Sequence, residues 1–266
     1  MSVSRSERKL RLEPPGRIQS VTRALALLDF VGQNATPVRA ADAAAALDLK
    51  ISTVHHLLAT LIASGYVRRD GRRYQISAAK LTTLGAWARR EIQPPPIALE
   101  HMRHLAEETG ETAFVACWDG ADVVIAATTE GRHAVRVATL SVGSSGDAHA
   151  RASGKALLAE RPIEDVESYL SSHGMRALTP RTITDPDRFQ SELAIIRQQG
   201  YAVDQEEFLT GVWCIAAPLL DGTAPPTTAL SISMPTERYL QMRDRYVELI
   251  LELARSQSTE PQEEAQ

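Results

Sequence analysis

The stretch Lys50–Ile62, which reads K-I-S-T-V-H-H-L-L-A-T-L-I, decides the fold of the front of the chain. Its apolar residues recur every three or four positions, at Val54, Leu57, Leu58, Leu61 and Ile62. This spacing predicts an amphipathic helix with one buried face. Ser52 or Thr53 is expected to cap the first turn by accepting a bond from a backbone N–H. The opposite face carries short polar side chains and no acid: Ser52, Thr53, His55, His56 and Thr60.

Two more helices are predicted before this segment. Arg39–Leu47 is apolar and rich in alanine, and the turn Asp48-Leu49-Lys50 joins it to the next helix. Asp48 stands where such turns often have glycine, and aspartate accepts the left-handed conformation better than most residues. A first helix is expected over Ser20–Val31, with Ser20 as its cap. The predicted buried stripe of this helix is Val21, Ala24, Leu25, Leu28 and Val31.

The segment after Ile62 predicts a basic hairpin. Residues 66–76 read Y-V-R-R-D-G-R-R-Y-Q-I, in which two β-prone runs flank Asp70-Gly71, a two-residue turn signal. Helix, short turn, helix and hairpin together predict a winged helix-turn-helix, with Ser52–Ile62 as the helix that enters the DNA major groove. Arginines at the tip suit phosphate or minor-groove contact, although they also suit a solvated turn.

The candidate DNA contacts are the exposed polar residues of these two elements. Thr53, His55 and His56 are expected to touch base edges. Contacts to phosphate are expected from Lys50, Ser52, Arg68, Arg69, Arg72 and Arg73. The predicted partner is a double-stranded DNA operator.

Charge is divided unevenly along the chain. Residues 1–90 hold 15 Lys and Arg against 6 Asp and Glu, a net +9, whereas the remainder is −13 and the whole chain −4. This division predicts that only the front of the chain meets a polyanion. The two cysteines predict neither a disulfide framework nor a zinc cluster. With no apolar run of about 20 residues and a polar N-terminus, no membrane contact and a cytoplasmic location are expected.

The 266 residues predict two domains. The expected divisions are a disordered tail at 1–16, the winged helix-turn-helix domain at 17–77, a linker helix at 78–93, a second domain at 94–258 and a disordered tail at 259–266. Pro94-Pro95-Pro96 ends the linker helix. Helices mixed with strands predict an α+β second domain with a sheet and a pocket. Its expected strands cover residues 112–118, 122–128, 134–140, 201–204, 212–219 and 227–234.

Three motifs resemble the IclR family of bacterial transcriptional regulators. They are S-T-V-H-H-L-L-A-T-L, H-A-R-A-S-G-K-A-L-L-A and G-Y-A-V-D-Q-E-E-F-L-T-G-V-W-C-I-A-A-P, in that order, and the resemblance runs from about residue 17 to 255. It implies an N-terminal winged helix, a linker helix that dimerises and a C-terminal GAF/profilin-like effector domain. It also implies homodimers or homotetramers that respond to small metabolites, often carboxylate-bearing or aromatic. His56 stands where the family often has arginine, so the operator sequence is left open.

The resemblance also implies an effector site. Its residues would be Ala152, Ser153, Gly154, Asp204, Cys214, Ser231 and Ser233. Backbone N–H groups at a helix N-terminus favour a carboxylate, and serines two positions apart on a strand share a face. Cys214 is a small, soft wall residue. Ser153 adds a hydroxyl that some members lack, so the effector does not transfer from them.

Other chemistries are weighed against this function. Gly154-Lys155 lacks the upstream glycine of a phosphate loop, where His149 stands, so nucleotide hydrolysis is rejected. His101 and His104 lack a third ligand at metal spacing, and no elbow motif surrounds Cys214. No catalytic site, metal site or cofactor is predicted, so the chain is not expected to be an enzyme. The alternative is a metabolite-binding protein or enzyme whose front domain is an interaction module. Repressor or activator, the effector and the target genes stay open.

Overall fold

The computed structural model describes residues 18–133, 141–220, 222 and 224–255. The chain forms two compact units that divide between Ala88 and Arg89. The predicted tails at 1–16 and 259–266 and the predicted strand at 134–140 lie outside the described residues.

The first unit is a winged helix-turn-helix. Its elements are α1 (Gln19–Gln33), β1 (Val38–Arg39), α2 (Ala40–Ala46), α3 (Ile51–Ala63), β2 (Val67–Asp70), β3 (Arg73–Ile76) and α4 (Ala78–Glu91), the last of which runs across the division. The strands form an antiparallel sheet in the order β1-β3-β2. Val54, Leu58 and Leu61 of α3 are buried against α1 and α2, as the apolar spacing predicts.

Several local predictions for this unit are wrong. α3 begins after Lys50 and has no side-chain cap from Ser52 or Thr53. Ser20 lies inside α1, whose first turn follows Ile18 without a side-chain cap. On α1, Val31 is buried and Leu28 is partly buried as predicted, whereas Val21 and Leu25 are 52% and 55% exposed and the buried Leu27 was not predicted. The covered side of α1 is the one that meets α3, β3 and α2, and this packing includes Leu27 and leaves Val21 and Leu25 in solvent.

Of the two turns predicted in this unit, one is confirmed and one is wrong. Asp48 has φ 52°, so aspartate does occupy the left-handed position between α2 and α3. The hairpin turn is Gly71-Arg72 rather than Asp70-Gly71, because Asp70 pairs with Arg73 across the strands. Gly71 has φ +57°, a conformation that glycine adopts without a steric penalty.

In the part of the chain that the structure describes, the second unit is an α+β fold around a five-stranded antiparallel sheet in the order β5-β4-β8-β7-β6. In chain order its elements are α5 (Pro96–Thr109), β4 (Thr112–Trp118), β5 (Val123–Thr129), a 3-10 turn (Ala148–Ala150), α6 (Ala152–Ala159), α7 (Ile163–His173), α8 (Pro186–Gln199), β6 (Ala202–Gln205), β7 (Val212–Pro218), β8 (Thr228–Pro235) and α9 (Thr236–Arg255). The N-terminal winged helix-turn-helix and the C-terminal α+β domain confirm the predicted fold class.

Helices cover both faces of this sheet. Leu230, Ile232 and Met234 of β8 pack in a core with α5 and α9. Ala229 faces the opposite core, which includes α6, α7 and α8. Because side chains alternate along a strand, Ser231 and Ser233 lie on the α6 face with Ala229. The sheet therefore presents serine hydroxyls to the buried helix α6.

Within the described ranges, no single helix is long and apolar enough to cross a membrane. α2 and α3 reach that length and hydropathy only when taken together across a bend of 115°.

Candidate functional site

The polar face of α3 is open to solvent. Ser52, His55, His56 and Thr60 are exposed, Thr53 is half-buried and Lys50 lies exposed just before the helix. The Thr60 hydroxyl donates to the His56 carbonyl at 3.1 Å, so this hydroxyl is engaged inside the helix. Ile51, which is 49% exposed, adds an apolar side chain at the start of α3 that sequence reasoning missed. An apolar contact of this kind suits a thymine methyl group.

The four wing arginines are all exposed, but they do not form one cluster. Arg68 lies opposite Gln75 and Arg69 opposite Tyr74, so these two side chains point to opposite faces of the hairpin. The Nε of Arg69 donates to the Gly71 carbonyl at 2.7 Å, and Nη1 of Arg73 donates to the Pro37 carbonyl at 2.9 Å. Arg72 occupies the turn itself.

The residues predicted for an effector site come together around α6. All eight residues of α6 are buried, including Ala152, Ser153 and Gly154 in its first turn. A side chain at Gly154 would place its Cβ 2.2 Å from the Ala148 carbonyl oxygen. Glycine is thus required here because the backbone of the preceding 3-10 turn lies against the helix.

A row of polar side chains crosses four strands beneath α6. The register pairs Asp204 with Cys214, Cys214 with Ser233, and Ser233 with Thr112. Paired residues of antiparallel strands point to the same face, so these four side chains form one line, which we call the polar row. Ser231 lies two positions from Ser233 on the same face. Thr112 was missed by sequence reasoning because it starts a strand far from the recognised motifs.

Four hydroxyls at this site are buried without a partner. The side-chain oxygens of Thr112, Ser153, Ser231 and Ser233 have no hydrogen-bond partner in the part of the chain that the structure describes. We call these the open hydroxyls. Most buried polar atoms in proteins are paired, and an unpaired one costs about 1–3 kcal/mol. One of the open hydroxyls lies in α6 and three lie on β4 and β8, an arrangement that suits a polar ligand.

Burial also shifts the acid–base behaviour of the polar row. Asp204 is 2% exposed, and burial raises its pKa to about 7. Its Oδ1 nevertheless accepts backbone N–H bonds from Glu207 at 2.7 Å and Phe208 at 3.2 Å. Burial and the neighbouring Asp204 raise the pKa of the Cys214 thiol well above its ordinary value. Cys214 is therefore a neutral thiol at neutral pH and is unsuited to nucleophilic attack.

Arg151 is the second residue near α6, after Thr112, that sequence reasoning missed. It immediately precedes α6, and its guanidinium carbon lies 4.3 Å from the centre of the Phe208 ring. Its Nε and Nη1 are buried and have no partner among the described residues. Burial lowers the pKa of this guanidinium. The signal in the sequence is a single charged residue among the small ones of H-A-R-A-S-G.

Lys155 serves the fold around this site. It is fully buried, and its Nζ donates to Glu207 at 2.5 Å and to Glu192 at 3.3 Å. The ion pair ties α6 to α8 and to the segment after β6. This lysine is thus engaged by two carboxylates, unlike the free lysine of a phosphate loop.

The alternative chemistries find no support in the described ranges. These residues hold no group of three or more His, Cys, Asp or Glu side chains that could bind a metal ion. The Nε2 of His149 lies 3.1 Å from the Arg176 carbonyl oxygen, and burial lowers the pKa of this histidine.

An exposed polar helix in a winged helix-turn-helix, followed by a separate α+β unit, defines the chain as a DNA-binding transcriptional regulator. The chain matches the IclR helix-turn-helix domain over residues 20–71. It matches the family described as bacterial transcriptional regulator IclR C-terminal over residues 95–259. The chain therefore belongs to the IclR family, whose members are DNA-binding proteins and not enzymes.

Individual relatives agree with this assignment. The chain is 32% identical to the transcriptional repressor IclR of Escherichia coli K12, over 84% of this chain and 82% of that protein. It is 32% identical to the HTH-type transcriptional repressor AllR of Klebsiella pneumoniae, over 97% of this chain and 96% of that one. The crystal structure of the Thermotoga maritima IclR superposes with a TM-score of 0.64 at 29% identity, covering 88% of this chain and 95% of that chain.

Proposed function

We propose that this regulator binds a near-palindromic operator as a dimer or tetramer and changes its DNA affinity when a small carboxylate-bearing or aromatic metabolite occupies the site around α6. The observation that carries the proposal is the set of open hydroxyls, one in α6 and three on the strands beneath it. Unpaired buried hydroxyls lower the unfolding free energy of the ligand-free chain. A ligand that pairs them stabilises the bound conformation, so the conformation of this region becomes dependent on the ligand.

The DNA half of the proposal rests on α3. This helix enters the major groove, Thr53, His55 and His56 contact base edges, and Lys50 and Ser52 hold phosphates. Arg68, Arg69, Arg72 and Arg73 supply further phosphate contacts from the wing. Their two-sided arrangement means that only part of this set faces one DNA backbone at a time.

The effector half rests on α6 and the polar row. Free backbone N–H groups in the first turn, at Ala152, Ser153 and Gly154, suit a carboxylate. Asp204, which is mostly protonated below its raised pKa, can donate as well as accept a hydrogen bond. Ser231 and Ser233 add hydroxyls, and Cys214 forms a compact wall.

Communication between the two units is assigned to the linker helix. We place the winged helix-turn-helix domain at 17–77, the linker helix at 78–93 and the effector and oligomerisation domain at 94–258. α4 occupies most of the linker segment. Effector binding shifts the relative population of two placements of the DNA-binding heads.

The test is a gel-shift titration of the full chain on the DNA upstream of its own gene and its neighbours. It is run at two salt concentrations, with and without a panel of small carboxylates. Protection of a discrete site, weakened by salt and altered by one of the carboxylates, supports both halves. A folded chain that binds none of these DNA segments specifically contradicts the operator half. Specific binding that no metabolite alters contradicts the effector half.

A further inference from the structure

A groove of about 590 Å³ lies between α7 and α8 on the second unit. None of the described residues that line it belongs to the polar row, so it is separate from the proposed effector site. Val166 on α7 and Leu193 on α8 are buried beneath the groove, and Ile163 at the start of α7 is 49% exposed beside it. The groove therefore offers an apolar surface that a short hydrocarbon can cover.

Arg161 is a nearly buried arginine among the residues that line this groove. It lies between α6 and α7 and is only 8% exposed. Its Nη2 donates to the Pro226 carbonyl at 2.7 Å, and its guanidinium carbon lies 5.0 Å from the centre of the Trp118 ring. These two contacts fix the plane of the guanidinium before any ligand binds.

The other two nitrogens of this guanidinium are unpaired in the described ranges. Nε is buried and has no hydrogen-bond partner there. Nη1 makes no hydrogen bond there either, but it is not among the buried unpaired atoms, so it is the nitrogen that a ligand in the groove can reach. Burial lowers the pKa of Arg161, and the charge of Asp165 on α7 offsets this effect in part. Arg161 therefore keeps hydrogen-bonding capacity for a further acceptor.

The N-terminus of α7 adds backbone donors next to this arginine. α7 has 11 residues, and no side chain caps its N-terminus. The first N–H groups of a helix have no partner inside the helix, and the helix dipole favours a negative group beside them. Ile163 is the first residue of α7 and lines the groove only two positions after Arg161. The guanidinium and the helix N-terminus therefore favour the same kind of ligand group.

The charged residues of the groove favour a ligand with one negative charge. Arg197 on α8 is a second positive side chain of the lining, and its Nε donates to the Ala159 carbonyl at 2.7 Å. Glu160 is the one acid in the lining that the structure describes, whereas Glu164 and Asp165 are exposed to water and do not line the groove. A monoanion balances two positive groups and one negative group, and a dianion brings an excess negative charge beside the glutamate.

We propose that the groove between α7 and α8 binds a small amphipathic monocarboxylate. The carboxylate accepts hydrogen bonds from Nη1 of Arg161 and from the first turn of α7, and the terminal nitrogens of Arg197 reach it from α8. The hydrocarbon body covers Ile163, Val166 and Leu193. The inference goes beyond the proposed regulator function and does not depend on it.

The test is a calorimetric titration of the full chain with three matched probes. Octanoate carries the charge and the hydrocarbon body, octanamide lacks the charge, and acetate lacks most of the body. The wild-type chain is expected to bind octanoate at least about tenfold more tightly than either of the others. The loss of one charge-assisted hydrogen bond corresponds to about that factor, and so does the loss of about two buried methylene groups. Equal affinities, or octanoate binding that is undetectable at millimolar concentration, overturn the inference.

Two variants and a control locate the bound octanoate. Ala194→Trp fills the groove from an exposed position on α8 and is expected to weaken octanoate at least about tenfold. Gln198→Trp is the matched control, because this exposed residue of the same helix does not line the groove, and it is expected to bind octanoate like the wild type. Arg161→Gln is expected to abolish the preference for octanoate over octanamide.

A melting curve establishes that each variant is folded. If Arg161→Gln does not fold, Ala194→Trp decides alone. A folded Ala194→Trp protein that binds octanoate like the wild type overturns the inference, because the ligand then lies elsewhere on the chain. Size-exclusion chromatography is expected to give the same oligomeric state for Ala194→Trp and the wild type. A changed oligomeric state would mean that a second copy of the chain covers the groove, and this result also overturns the inference.

Discussion

α3 and α6 are two helices that each carry short polar side chains, yet they hold them in opposite surroundings. The polar side chains of α3 lie mostly in water, with Ser52, His55 and His56 exposed. Those of α6 and the sheet beneath it are buried, and the open hydroxyls lack partners among the described residues. Water satisfies the first set at no cost to folding, whereas unpaired buried hydroxyls in the second set lower stability. The proposed DNA surface is therefore neutral to the fold, and the proposed effector site is not.

The largest expected effect is a loss of stability on removing the buried charge of Lys155. Lys155→Met leaves the Glu207 carboxylate buried without its partner, so we expect the second unit to lose about 3–5 kcal/mol of unfolding free energy. Urea unfolding followed by circular dichroism measures the loss. The double variant Lys155→Met/Glu207→Leu removes both charges and should recover most of it. A single variant as stable as the wild type would contradict the assigned role of the ion pair.

The next effect is the dependence of stability on pH at Asp204. The pKa of this carboxyl is raised from 3.8 to about 7 in the folded state, so its contribution to stability is fully present below pH 3.8 and is lost as the pH rises toward 7. Between pH 5 and pH 8 this loss amounts to about 3 kcal/mol. Asp204→Asn keeps the acceptor oxygen and should remove that part of the pH dependence. Parallel unfolding curves of the two proteins at pH 5 and pH 8 would refute the shift.

A smaller effect separates stability from function at the open hydroxyls. Ser231→Ala and Ser233→Ala remove unpaired buried hydroxyls, so each is expected to raise the unfolding free energy of the ligand-free chain by about 1 kcal/mol. Each is also expected to weaken effector binding. Ser52→Ala on α3 is the matched control, since its hydroxyl faces water and its loss should leave stability within about 0.5 kcal/mol of the wild type. Melting temperatures with and without effector measure both quantities. Lower stability in the two β8 variants would mean that their hydroxyls are paired.

The smallest effect on stability is expected at the wing. Arg72→Ala should change the unfolding free energy by less than about 0.5 kcal/mol, because its side chain is exposed in the turn. The variant is expected to change DNA binding instead. Its affinity for DNA of any sequence should drop, and the slope of log affinity against log salt should decrease by about 1. An unchanged salt slope would remove Arg72 from the phosphate contacts. His55→Ala is the companion variant, expected to reduce discrimination between operators with little change in that slope.

The periodic elements could be predicted from the sequence, and their ends could not. β4 has the predicted bounds, whereas α4 begins at the predicted Ala78 and ends at Glu91 rather than at residue 93. In α3 the predicted stripe is covered, with Val54, Leu58 and Leu61 buried and the other two residues partly buried. Caps at Ser20 and Ser52 were wrong because short polar residues also occur inside helices when they face solvent. The two residues of β1 are too few to show any periodicity. Which side of α1 is covered depends on the elements that pack against it, and the spacing of its apolar residues does not contain this information.

The candidate effector site was also predicted only in part, because some of its residues come together only through the fold. Motif resemblance pointed to seven positions, and the fold brings them together around α6 and the polar row. Thr112 joins them only through the pairing of β4 with β8, which links residues more than a hundred positions apart. Arg151 lies inside a recognised motif, but the burial of its Nε and the engagement of Asp147 by Arg176 depend on the fold. Neither of these two facts can be inferred from the sequence alone.

The polar row has a consequence for the redesign of the proposed effector site. Its four side chains sit on neighbouring strands whose backbones are fixed by the hydrogen bonds of the sheet. Because the sheet fixes these backbones, an exchange at one position alters the polarity of the row with little shift of the strands. Asp204 and Cys214 are coupled, since Asp204 raises the pKa of the Cys214 thiol, so these two codons are best varied together. A library randomised at the four codons and read out with a reporter gene would test whether the row sets the specificity of the proposed effector site.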